Sequence, residues 1–270
     1  MTKPLVFLAI AILWSGCVNG FTKLYQDRTA NFPPAVVNAR LQPYSGNTQV
    51  FSSNDLVRDG ADLFRRGYVL IGESAFEGGG DVTKGQLMEQ ARLVGADIVL
   101  YSSRFDRTDQ AYVPVMQYHP GQTSTTYSSG TVNTAYGSGQ YNGYSTTTSP
   151  GTFSTTEVPV AVRRFDYDAV FWRQGKPPVF GIDAVNLPDE MRSALKRNTG
   201  ILVTNVVNDS PAFRANIVPG DIIIMVDDIA INSTHDGNVQ QYAFAGKECV
   251  LTILRDGKEI KIPVKLNPMP

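Results

Sequence analysis

The sequence predicts an α+β protein built from a small α/β module followed by a compact β-rich module with two helices. Three observations predict it. Between Asp55 and Phe105 the apolar residues change from helical spacing to strand runs and do so twice. Between Gly200 and Ser233 two β-branched runs, Ile201 to Val207 and Ile222 to Val226, flank turn-forming residues. Between these stretches Gly175, Pro177 and Pro178 mark a boundary.

Length and charge bound what the chain does. Its 270 residues hold two small domains. With 24 Lys and Arg against 25 Asp and Glu the formal net charge is -1, so no basic excess exists to hold a nucleic-acid backbone, and no nucleic-acid partner is expected. Two cysteines and two histidines are too few for a disulfide scaffold or a cysteine-only zinc site; no metal and no cofactor are expected.

The N-terminus reads as an address. Lys3 precedes an apolar run from Leu5 to Trp14, which is too short to span a bilayer and suits a secretory signal over residues 1–16. Ser15 and Gly16 before Cys17 resemble a bacterial lipobox, with Trp14 where that family usually has leucine. The resemblance implies lipidation of Cys17, a membrane tether, and a body in the cell envelope, anchored to the outer membrane and facing the periplasm or the cell surface. Cys249, among Val250, Leu251 and Ile253, reads as a buried core thiol.

Residues 17–54 have no long period and read as a mostly irregular connector, with Gln49 to Phe51 extended. Residues 55–174 form the first module. Asp55 to Arg66 reads as a helix capped by Asn54, Tyr68 to Phe76 as a strand, Val82 to Val94 as a second helix and Ile98 to Tyr101 as a second strand, the two strands being parallel neighbours. GYVLIGESAF and QARLVGADIVL are similar to small α/β modules of other bacterial surface lipoproteins. Gly78 to Gly80 follows a strand but lacks the Gly-Lys-Ser/Thr ending of a phosphate loop. From Gln110 to Thr156 there is no Asp, Glu, Lys or Arg, and residues 120–156 are dominated by Ser, Thr, Gly and Tyr. So little apolar side chain predicts an insert without a fixed conformation between strands Tyr112 to Tyr118 and Glu157 to Tyr167, with His119 exposed and unpaired at its edge. Asp168 to Gly175 ends the module as a strand.

The second module spans residues 178–267. Ser210 caps a short helix that has Pro211 at its first position. Val218-Pro219-Gly220-Asp221 turns the chain into the strand from Ile222, and Asp227-Asp228 is a tight hairpin turn. Ser-Pro-Ala at 210–212, then Pro-Gly-Asp at 219–221, Ile222, Ile223, Asp227 and Asp228, resemble the central signature of a bacterial PDZ domain. Late strands Cys249 to Leu254 and Lys258 to Leu266 are similar to the permuted PDZ modules of periplasmic quality-control proteases. The resemblance implies a peptide added as a strand beside a sheet edge, with its carboxylate in a loop of backbone N–H groups. It assigns that loop to Val179, Phe180, Gly181 and Ile182, and the opposite wall to a helix from His235 to Tyr242 carrying His235 and Val239. Gly237 weakens this helix.

Function follows as an expectation. The chain reads as a non-catalytic envelope lipoprotein whose PDZ domain binds extended peptides or protein C-termini as adaptor or scaffold. One alternative is a structural assembly protein with a closed groove, self-associating as a homo-oligomer. Another is an inactive relative of PDZ-containing periplasmic serine proteases, since no Gly-x-Ser-x-Gly elbow appears and His119 is the sole histidine ahead of the module. A third reading gives Tyr127, Tyr136, Tyr141 and Tyr144 a role in glycan binding.

Overall fold

A computed structural model describes residues 19–79 and 82–270. The signal over residues 1–16 and the lipidation of Cys17 therefore lie outside the described residues. The described chain is α+β, as its patterning predicts, and divides into two compact units: residues up to Phe105 together with Phe165–Pro270, and Asp106–Arg164.

The stretch expected to be an irregular connector is instead folded: α1 (Gly20–Lys23), β1 (Tyr25–Asp27), α2 (Pro34–Arg40) and β2 (Gln49–Ser52). Its scattered apolar residues carry no local period because each is a tertiary anchor. Phe21 is 1% exposed and meets the Phe76 ring edge-on at 4.9 Å, and Leu41 is buried. Next comes α3 (Leu56–Arg65), where Asp55, not Asn54, accepts from Arg58 N. It is followed by β3 (Tyr68–Gly78), α4 (Lys84–Val94) and β4 (Ile98–His119). A Thr83–Gln86 capping box starts α4, and Gly95 ends it at φ 69°.

Beyond β4 lie β5 (Thr123–Thr134), β6 (Gly137–Thr148) and β7 (Thr152–Gln174). The first sheet runs β1-β3-β7-β4-β2. The strands at Tyr68 and Ile98 are thus not neighbours: β7 lies between them and pairs antiparallel with β3 from Tyr68↔Gln174 to Gly78↔Phe165, while β4 finds its parallel partner in β2. The physical reason is that β7 is apolar on both faces. Tyr167, Ala169 and Phe171 pack with Phe21, Leu87 and Ala91; Val170 and Trp172 pack with Leu63 on the other side. A strand covered by helices on both faces takes the centre of a sheet.

The Asp106–Arg164 unit corrects the expectation of an unfixed insert. Strands β5 and β6 pair antiparallel from Thr123↔Thr148 to Thr134↔Gly137. Its side chains are almost all exposed, Tyr136 fully so. Backbone bonds and cross-strand pairs hold it instead of a core, such as Thr125 Oγ1 with Thr146 Oγ1 at 3.3 Å and the Tyr127 and Tyr144 rings at 6.5 Å. His119 is exposed but not unpaired: its Nε2 lies 2.8 Å from Ser154 Oγ.

The C-terminal segment contains β8 (Ile182–Asn186), α5 (Asp189–Leu195), β9 (Ile201–Val206), α6 (Pro211–Arg214), β10 (Ile222–Val226), β11 (Ile229–Ala230), α7 (Thr234–Ala243), β12 (Glu248–Arg255) and β13 (Lys258–Lys265). Its sheet runs β13-β12-β10-β9-β8, with β11 paired to β10, so β8 is an edge strand. Val203, Ala212, Ile231, Leu251 and Ile253 form the centre of its core. This segment joins the first sheet's helices in one unit, and Asn208 N donates to Arg65 O at the end of α3.

Candidate functional site: a groove between an edge strand and a helix

The groove begins at the loop before β8. The carbonyls of its residues are all turned back into the fold. Pro178 O accepts from Asn267 Nδ2 (2.8 Å) and Val179 O from Asn267 N (3.0 Å). Phe180 O accepts from Ala212 N (3.0 Å) and Gly181 O from Val207 N (2.8 Å). Among the described residues no protein group accepts from Phe180 N or Gly181 N. Two consecutive backbone N–H groups without a protein acceptor thus lie just ahead of the edge strand β8.

Gly181 makes this geometry possible. Its φ is +93°, and a Cβ there would sit 2.3 Å from Ser210 Cβ. Ser210 is itself fixed: its Oγ accepts from Phe213 N at 3.2 Å, capping α6. The Ser-Pro-Ala motif thus seats a helix whose Ala212 N–H holds the loop. The Pro-Gly-Asp motif works farther off. Asp221, 1% exposed, takes Arg255 Nε at 2.6 Å and Nη2 at 2.7 Å and also accepts from Val218 N. This fork ties the start of β10 to the end of β12.

Between β8 and α7 lies a cavity of about 170 Å³ that no side chain fills. Phe180, Ile182, Ile223, Val226 and Leu251 supply its apolar wall and floor. Of the residues expected from sequence, Phe180 and Ile182 line it, Gly181 shapes the loop, and Val179 is buried in the core. His235 and Val239 do not line it. Ser233 caps α7 so that Thr234 opens the helix, and the groove face is then Thr234, Gly237, Asn238 and Gln241. His235 and Val239 fall on the exposed side, Val239 at 48%. The i, i+4, i+7 set of Thr234, Asn238 and Gln241 was readable as a polar helix face, had the helix start been placed one residue earlier.

Two further residues matter here. Gly237 is a site of close approach, not only a weak helix former: a Cβ would lie 2.9 Å from Ile201 Cδ1. Cys249 lines the groove floor, and burial, with a smaller push from the Asp227 carboxylate, raises its thiol above the ordinary range. Asn267, which braces the loop from the C-terminal side, carries no motif and was missed.

The PDZ domain family matches residues 178–266. Over 90 residues, 32% of this chain, the sequence is 34% identical to a probable periplasmic serine endoprotease, DegP-like, of Rickettsia conorii, and 32% identical to that of Rickettsia prowazekii. The matched stretch spans 18% of each of those relatives. Among solved structures, the HtrA-type protease AlgW with decapeptide is 24% identical, covering 34% of this chain and 29% of that one at a TM-score of 0.30. The HtrA3 PDZ domain bound to a phage-derived ligand is 19% identical, covering 33% of this chain and 83% of that one, also at a TM-score of 0.30. The C-terminal third of the chain is a PDZ domain, similar in sequence to a segment of DegP-like proteases.

Proposed function

We propose that this protein is a non-catalytic adaptor of the cell envelope whose PDZ domain binds extended peptides or protein C-termini. One observation carries the reading: the loop of Phe180 and Gly181, whose N–H groups have no protein acceptor, sits at the end of an unfilled apolar groove beside an edge strand. A peptide strand pairs with β8 through its backbone, places its carboxylate at those N–H groups and buries its last apolar side chain against Phe180 and Ile182. The open cavity favours this over the closed-groove assembly reading.

The non-catalytic reading draws its support from chemistry. The pair His119–Ser154 has the contact distance of a base and a nucleophile, yet His119 is exposed and Ser154 only partly covered. Among the described residues no carboxylate bonds the other ring nitrogen. The relatives named periplasmic support an envelope location, and Cys17 supplies the tether. No described helix is long and apolar enough to cross a membrane.

The test is a display screen of peptides with free C-termini against the full chain, followed by titration of the selected peptide with a free or amidated terminus. Amidation is expected to weaken binding at least tenfold. Equal binding of both forms refutes carboxylate capture at the Phe180 and Gly181 N–H groups.

A further inference from the structure

We propose that the module preceding the PDZ domain completes the ligand site, adding a cationic subsite that receives a carboxylate at the ligand's terminal end. This rests on the peptide-binding reading and names the ligand class: peptides that bring there the terminal carboxylate together with, or reinforced by, a Glu or Asp side chain.

A second cavity, about 280 Å³, shares Ile182, Asn238 and Gln241 with the groove and continues past Gly181 of the loop. Its far side comes from outside the PDZ domain and includes Arg40 of α2 and Lys176 of the linker. No Asp or Glu side chain lines it. The two cations are held in place. Arg40 O accepts from Lys176 N at 2.8 Å, and Lys176 Nζ donates to Asn38 O at 3.2 Å. The Arg40 guanidinium lies 5.4 Å from the Tyr242 ring centre of α7 and 5.7 Å from that of Phe32. Among the described residues neither cation pairs with a carboxylate.

The chemistry follows from that arrangement. A guanidinium held over aromatic rings, with no carboxylate partner, keeps N–H donors for a planar anion. Placed beside the loop of Phe180 and Gly181, two positive charges raise the local concentration of carboxylates and repel cationic termini. Arg40 also touches the helix that walls the groove, so the subsite and the groove share α7.

The probe is an array of immobilised octapeptides in matched pairs that differ only by Glu or Gln within the last four positions, each with a free or amidated terminus. The full chain is compared with Arg40→Gln, Arg40→Glu and Lys176→Gln, all first shown to keep the parent's thermal unfolding. The expected result is a preference for Glu over Gln of about two- to fivefold, lost in Arg40→Gln, reversed in Arg40→Glu and shrinking with salt. A smaller amidation penalty in Arg40→Gln would assign part of the effect to the terminal carboxylate, in keeping with the proposal. Peptides that bind through their free termini with no Glu preference, or with a preference unmoved by all three variants, overturn the subsite and leave peptide binding standing. No binding by any peptide removes both. Pro270, the last residue, also lines the cavity; a Glu preference that is absent in the full chain and appears, with a gain in affinity, only when Met269 and Pro270 are deleted gives the subsite to the chain's own tail and overturns it as well.

Discussion

The PDZ domain and the Asp106–Arg164 unit are both rich in strand, yet they are held by different forces. The first buries Ile253 completely and closes its sheet around an apolar core. The second pairs β5 with β6 over twelve register positions while leaving Tyr127 81% and Tyr144 77% exposed. The contrast teaches that β-propensity and backbone bonding suffice to write a ribbon, whereas a site with a fixed loop and an open groove needs a core to hold its parts.

Four measurements test that difference, the strongest effect first. Asp221→Ala removes the carboxylate that Arg255 grips, leaving its partly exposed guanidinium only Asn216 O, and is expected to cost about 1–3 kcal/mol in urea unfolding. A cost under about 1 kcal/mol would show that the core alone fixes β10 to β12. Gly181→Ala forces a Cβ into Ser210 at positive φ; an expected loss of about 1–3 kcal/mol, with peptide binding abolished, ties the loop's strain to its task.

The third outcome concerns pH. Because burial raises the Cys249 thiol, less thiolate exists at pH 8 than in a free cysteine, and iodoacetamide is expected to modify it slowly in the native chain. Below the ordinary thiol range the group contributes nothing to the pH dependence of stability. Above that range the unfolded chain loses its proton first, so folding stability falls as pH rises through the gap. Alkylation at the rate of free cysteine would mean that the groove floor is open to solvent. The smallest effect belongs to the ribbon: Tyr136→Ser is expected to change stability by less than about 0.5 kcal/mol and to leave PDZ binding unchanged. A larger change would reveal packing that its full exposure does not show.

Legibility in the sequence was uneven for the same physical reasons. Ser210, Pro211, Gly220 and Asp221 announced themselves because turns, caps and positive φ need particular residues, and the loop Val179 to Ile182 came with them through the family likeness. The phase of α7 did not: moving a helix start by one residue rotates its faces by about 100°, so His235 and Val239 were expected where Thr234, Asn238 and Gln241 stand. Asn267 was invisible, since an asparagine that braces a loop from the far end of the domain leaves no local pattern.

The α+β class, the positions of most helices and strands in the PDZ domain, and the residues whose backbone conformation is special follow from the order of amino acids alone. These are local matters of propensity, capping and glycine. Tertiary structure alone decided that β7 separates β3 from β4, that Phe21 and Leu41 anchor an aperiodic stretch, and that Arg40 comes to lie beside the groove. Such outcomes depend on which apolar surfaces meet across long separations in the chain, and that is settled by burial rather than by neighbours in sequence.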